Sequence, residues 1–297
     1  MSEHRTGVWY GVAAYIVWGL SPLFWNLVQG IDASALLVHR ILWALPMLAI
    51  AITVRRQWAA FRSDYGVPKA KALTVAAALL LATNWGLFLW AVTNEQVVEA
   101  SLGYFINPLV SVALGVIVLG ERLRRLQWAA VAIAGLGVAG LALRIGTIPW
   151  VSLGLAFSFG LYGLLKKRPE TPRPLDSLFG EVAVVSVPAF AWLLVIGGGG
   201  TEGIGSSYAT TAFLISTGVI TVIPLLFFGA AAKRIPLSTL GVLQYIAPTL
   251  QFLIGVLVFG EELNAAKLFA FAMVWLALGV YTYDNTRAAR MRQETSV

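Results

Sequence analysis

Residues 101–121 read SLGYFINPLVSVALGVIVLGE, and 140 positions further on residues 241–261 read GVLQYIAPTLQFLIGVLVFGE. Seven of the 21 positions are identical: Ile106/Ile246, Pro108/Pro248, Gly115/Gly255, Val116/Val256, Val118/Val258, Gly120/Gly260 and Glu121/Glu261. Apolar helices match one another cheaply, so the Val and Ile identities carry little. The frame carries more: a proline inside an apolar run, a glycine seven residues on and a Gly-Glu stop, all in one register. A helix-breaking residue placed alike in two halves of a hydrophobic chain points to duplication around a central site.

The whole chain is built of the same material. Of its 297 residues 59% are hydrophobic and 12% charged, with mean hydropathy +0.80, against roughly 45–50% apolar and about 25% charged in soluble domains. This is the composition of an integral membrane protein. There is no Cys and only two His, which excludes disulfides and thiolate metal sites and leaves no convincing metal centre; no cofactor is expected. The first apolar run, from Gly7, is long enough to span and lacks a small-residue cleavage site, so it reads as a helix rather than a cleaved leader.

Ten apolar segments follow one another, near 7–28, 35–54, 72–92, 97–119, 126–143, 149–165, 177–197, 210–232, 237–259 and 266–283. Each approaches the ~20 residues that cross a hydrocarbon layer. None shows the period-2 alternation of a barrel strand, so the expected fold is an all-α bundle of ten transmembrane helices. Of the 21 Lys and Arg, all but Arg40, Arg144 and Lys267 fall in the segments that share a side with the N-terminus. That bias places both termini in the cytoplasm of a multi-pass inner-membrane protein. The basic balance of +7 is therefore an orientation device, and nucleic acid is set aside as a partner.

Ten spans and a 140-residue offset make two units of five, 1–143 and 149–283, joined by 144–148 and followed by a cytoplasmic tail at 284–297. Because five is odd, the second unit enters the membrane from the other side, and the duplicates become inverted repeats. A weaker echo pairs Trp18-Gly19 with Tyr162-Gly163. Two such half-bundles can open alternately to either face around a central cavity, which is the architecture of a carrier.

Specific residues also carry a resemblance. His39-Arg40 with Trp43, Asn84-Trp85 with Trp90-Ala91-Val92, and the run from Glu99 through Asn107-Pro108 to Ser111 recur in a known family. So do Gly120-Glu121-Arg122, Gly154 to Phe159, Leu237 to Gly241, and Gln244-Tyr245-Ile246 with Pro248-Thr249-Leu250. On these the chain resembles the drug/metabolite transporter superfamily, its EamA-type members, and among them most of all the RarD proteins. The resemblance covers nearly the whole chain. It implies ten helices in two inverted EamA repeats and transport of a small metabolite at the inner membrane. The departures, at Gly197 to Gly200 and in the basic 166–174 linker, fall in loops.

Candidate site residues come from polar groups inside the spans. Arg40 is the first, because a charge at bilayer depth costs ~2.5–3.5 kcal/mol on insertion scales and normally faces a partner or a wet cavity. Its guanidinium fork suits an anionic group such as a carboxylate, although it lies near enough to the outer end of its span to snorkel. His39 and Glu99 are the coupling candidates. His39 changes charge near neutral pH but points about 100° away from Arg40 and also suits a bond between helices. Glu99 reads as Arg40's partner, a proton acceptor or an interfacial residue. Asn107 beside Pro108, and Gln244-Tyr245 before Pro248, form a second group, because a proline frees polar backbone where polar side chains stand. Asn84 and Trp85 extend that layer, with Pro224 at Asn84's echo position. Tyr104 and the deeper Trp residues are aromatic pocket candidates, for which plain packing competes with ligand contact. Gly115, Gly120, Gly255, Gly260, Gly135, Gly137 and Gly140 suit close helix approach, and the faces of the fifth and tenth spans also suit a homodimer.

The sequence holds no HExxH, nucleophile elbow or P-loop, so an enzyme or ATP-driven pump is not expected. The reading is a secondary carrier for a small metabolite or drug-like molecule with an anionic or aromatic group, export favoured, with proton coupling open. A channel or a non-transporting membrane regulator is the alternative.

Overall fold

The computed structural model describes residues 3–27, 31–143, 149–196, 208–261 and 265–294. The expected connection at 144–148 and the Gly197 to Gly200 run lie outside them. The described residues form helices and no strand: α1 (Glu3–Trp25), α2 (Ala33–Val54), α3 (Trp58–Asp64), α4 (Pro68–Thr93), α5 (Val97–Leu119), α6 (Arg125–Ala142), α7 (Trp150–Lys166), α8 (Pro174–Ile196), α9 (Tyr208–Ala232), α10 (Leu237–Leu243), α11 (Ile246–Leu257) and α12 (Ala265–Glu294). Eight helical stretches among the described residues are long and apolar enough to cross a membrane, with 237–257 taken as one, and α7 is a shorter apolar helix. Large apolar side chains such as Ile50, Ile117, Leu136 and Leu194 stand exposed around the bundle, a surface that only lipid or another apolar partner covers.

Local chemistry sets several boundaries. Asp32 caps α2 by accepting from the Ser34 N–H at 2.8 Å, and Pro68 opens α4 at a position where its missing N–H costs nothing. One element departs from the expected connections: residues 58–64 are helical rather than loop. Its aromatic face explains it, since Trp58 and Phe61 rest edge-on against Phe179 at 5.6 and 5.4 Å between ring centroids.

The two proline-bearing stretches differ. Helix α5 runs unbroken with Pro108 inside it, whereas the equivalent stretch is divided at Gln244 and Tyr245 into α10 and α11. Pro248 has no N–H for the Gln244 carbonyl, which accepts instead from Ala247 at 3.2 Å. Gly241 lets the two stretches touch, because a Cβ there would lie 2.8 Å from the Ser111 Cβ and 2.9 Å from the Pro108 carbonyl oxygen.

Packing follows a pattern that survives exchange of the halves. If α1 is exchanged with α7, α2 with α8, α4 with α9, α5 with α10–α11 and α6 with α12, the largest of the helix contacts map onto one another. The α1–α9 contact becomes α7–α4, α1–α11 becomes α7–α5, and α2–α9 becomes α8–α4. The α2–α8, α5–α10 and α6–α12 contacts map onto themselves. The main core gathers Tyr15, Leu48, Leu81, Tyr162, Leu178, Phe228 and Leu240. A second core joins α5, α6 and α12. Here Gly137 meets Met273 and Ala270 and Gly140 meets Phe269, so the small-residue face of α6 is filled by α12 of the same chain. Gly135 and Gly120, also expected to admit a close neighbour, meet nothing within 4 Å.

Ion pairs between the halves gather at one end of the bundle. Glu3 pairs with Arg234 at 2.9 Å, Asp64 with Arg173 at 3.1 Å and Arg124 with Asp284 at 2.5 Å, and Lys69 pairs with Glu170. Glu121 reaches across to cap α10, accepting from the N–H groups of Leu237 at 2.6 Å and Ser238 at 2.9 Å. At the other end the described residues contribute Ser152, which donates to the Glu99 carbonyl at 2.6 Å.

Candidate functional site

Arg40 projects from the third turn of α2 into a space shared by α4, α5, α9 and the end of α1. Its Nε donates to Thr221 of α9 at 3.2 Å. The guanidinium carbon lies 4.8 Å from the Trp85 ring centroid and 5.9 Å from that of Trp25. Such ring faces return ~0.5–2 kcal/mol to a desolvated cation, a partial offset to the burial of the charge. None of the ion pairs among the described residues involves Arg40. The expected Arg40–Glu99 pair is not formed: Glu99 Oε2 is buried without a hydrogen-bond partner. The cation is thus supported by a hydroxyl and aromatic faces, with no carboxylate partner among the described residues.

Helix α5 supplies the neighbouring wall. Tyr104 interacts electrostatically with Arg40, stays 37% exposed and meets Phe88 at 6.2 Å. One turn on, on the same face, Asn107 is 3% exposed, and its Oδ1 finds no donor. An unpaired amide oxygen at that depth costs ~1–3 kcal/mol and is a vacancy for a donor. Gln244 is also buried. Two further candidates are engaged in holding helices: the Tyr245 hydroxyl donates to the Phe105 carbonyl at 3.3 Å, and Asn84 Nδ2 donates to the Leu155 carbonyl and to Ser158, both at 3.0 Å. His39 is buried within α2. Tyr245 and Phe105 stand 140 positions apart, at matching places in the two similar stretches. The structure therefore brings Arg40, Trp85 and Tyr104 together, continues the wall through Asn107, and sets Asn84 and Tyr245 as struts beside it.

On the side of this cluster toward the charge-tied end the space is filled with rings. Trp18 lies 5.7 Å from Phe159 and 6.0 Å from Phe228, and Tyr162 stacks on Phe228 at 5.8 Å with an interplanar angle of 18°. Behind them Lys166 and Glu181 form a buried ion pair. This pair escapes the sequence reading, where Lys166 serves only as an orientation charge and Glu181 is lost inside an apolar run. The signal was present, since an acid within a span is a functional mark by the same criterion that selects Arg40.

The model of the EamA-like transporter family matches residues 5–143. Protein RarD of Streptomyces exfoliatus is 48% identical over 97% of this chain and 92% of its own length. The chain belongs to the EamA-like transporter family. An uncharacterized transporter of Pseudomonas aeruginosa is 42% identical to this EamA-like chain, over 96% of each protein. The fold also matches that of a solved crystal structure with a TM-score of 0.72 at 19% identity, covering 93% of this chain and 97% of that one. As an EamA-like protein the chain is a multi-pass membrane transporter, and the Arg40 cluster is its candidate substrate site.

Proposed function

We propose that this EamA-like transporter is a secondary carrier that exports a small metabolite bearing an anionic group, by alternating access at the inner membrane. The observation that carries the reading is Arg40, a cation held by Trp85, Trp25 and Thr221 without a carboxylate partner among the described residues. An anion entering there gains bidentate, charge-assisted bonds and an aromatic wall from Trp85 and Tyr104, while the vacant Asn107 Oδ1 accepts a donor from the same molecule. Residues 1–143 and 149–283 act as inverted five-helix repeats, ten spans in all, with both termini cytoplasmic. The exchangeable pattern of helix contacts and the lysine and arginine bias support this arrangement. The charge-tied end is then the cytoplasmic one, and the ring cluster of Trp18, Phe159, Tyr162 and Phe228 closes it.

The test is an untargeted comparison of compounds released by cells producing the intact chain and cells producing equal membrane amounts of Arg40→Ala. An acidic compound released at least tenfold faster only with the intact chain is the expected result. Equal release by the two forms makes Arg40 a structural residue. Saturable counterflow of the same compound separates a carrier from a channel, which cannot exchange one bound molecule for another.

A further inference from the structure

Lys166, the last residue of α7, and Glu181, two turns into α8, have side chains 3% and 0% exposed. The Lys166 ammonium pairs with Glu181 Oε1 and donates to Ser177 Oγ at 2.9 Å. Ser177 in turn donates to Glu181 Oε1 at 2.5 Å, and the Tyr162 hydroxyl donates to Oε2 at 3.0 Å. Both carboxylate oxygens are engaged. A pair of this kind is expensive to bury, and well-packed apolar residues are often at least as stable in its place, so its presence points to work rather than to cohesion. Tyr162 also belongs to the ring cluster, which ties the pair to the end that the carrier reading opens and closes.

We propose that Glu181, clamped by Lys166, is a proton-exchange site whose occupancy is linked to opening of the cytoplasmic end, an assignment that rests on the carrier reading above. Other ionisable and hydroxyl groups surround the pair. Helix α7 contributes Tyr162 and Lys166, and α8 contributes Asp176 and Ser177. Tyr65 and Thr74 approach at Gly180, where a Cβ would come within 3.0 Å of Thr74 and closer still to the Tyr65 hydroxyl. Burial pushes the Tyr65 hydroxyl up to about 12, so it stays neutral at physiological pH. Lys233, after α9, senses Lys166 electrostatically. The last two turns of α2 carry no ionisable side chain. Asp176 sits beside Ser177 and pairs with Arg173 at 2.7 Å, and Arg173 pairs with Asp64. These last two line an open cleft of about 590 Å³ together with Glu170, Lys233 and Arg234. Water in that cleft is the proton's source and sink.

The step is a simple one. When α7 and α8 part, the Lys166 ammonium turns to the cleft and the Glu181 carboxylate loses its counter-charge. The carboxylate takes a proton from hydronium, forming one O–H bond and releasing water. On closing, Lys166 returns and that proton passes back to water. The open state holds one more proton than the closed state, so acid favours opening, by at most tenfold per pH unit.

The chain has no cysteine, so a single Ala232→Cys, at a fully buried position near the charge-tied end, reports opening through its rate of maleimide labelling in the full-length protein in membranes. Maleimide takes the thiolate, so each rate is divided by that of glutathione at the same pH. In that background the ratio should rise severalfold to tenfold for each unit of acidification. Glu181→Gln, which imitates the protonated acid, should give a high ratio at every pH. Lys166→Met with Glu181→Met, which leaves no lone charge buried, should give a ratio independent of pH. A ratio that ignores pH in the parent, or an unchanged pH slope in the double variant, overturns the proposal. Because no substrate enters the assay, failure of the carrier reading shows separately, in the release experiment.

Discussion

Asn107 sets an amide oxygen where no donor reaches it, 3% exposed and one turn from Tyr104. A structural amide would be bonded to a neighbouring helix, as Asn84 is. The two cases predict different outcomes. Asn107→Ala removes an unsatisfied group, so the melting temperature of the purified protein should stay level or rise, while KM for the exported compound rises about tenfold, the worth of one hydrogen bond of ~1.4 kcal/mol. A lower melting temperature with KM unchanged would make Asn107 a packing residue. Arg40 and Asn107 were visible in the sequence because each is polar within an apolar run. Glu181 met the same criterion and was missed: its meaning depends on Lys166, and only the folded arrangement of α7 and α8 brings the two side chains together.

At the scale of elements, the contact of α5 with α10 is a joint between the halves that a glycine permits. Gly241→Val would drive a branched side chain into Ser111 and the Pro108 carbonyl. Overpacking of this kind costs ~1–3 kcal/mol, so the thermal midpoint should fall by several degrees, and transport should fall further than stability because the substrate wall on α5 is displaced. Gly120→Ala tests the opposite case: it has open space but a φ of 66°, so its cost is backbone strain at the end of α5 and leaves the joint intact. Helix existence was legible throughout, because long apolar runs leave the backbone no other partner in lipid. What was not legible is the unequal fate of two equal prolines. Pro108 is absorbed into α5, whereas Gln244-Tyr245 divides its helix. Helix α3 was hidden as well, since its seven residues are held by Phe179, far off in the chain.

For the whole molecule, residues 101–121 and 241–261 stand in a packing scheme in which exchanging the halves returns the largest helix contacts. Such a scheme is symmetric in its plan and asymmetric in its present state. The two Gly-Glu stops display the asymmetry. Gly120 and Gly260 have φ values of 66° and 68°, and the N–H groups of Glu121 and Glu261 bond back to Gly115 and Gly255 at 3.0 and 2.9 Å. The Glu121 carboxylate is committed across the halves to the start of α10. Glu261, its counterpart, caps no helix among the described residues, and the N-terminus of α5, at the equivalent address, has no side-chain cap. Charge-assisted bonds to backbone N–H groups are worth ~1.5–3 kcal/mol. Glu121→Gln should therefore raise the labelling of Ala232→Cys about tenfold, and Glu261→Gln should lower it. Equal effects of the same sign would show that the stops are only helix ends. If the signs differ, one chain has written the same latch at both doors of a room, and in each state one of the two stands unfastened. The opposite-facing structure can then be drawn from this one by renaming its halves.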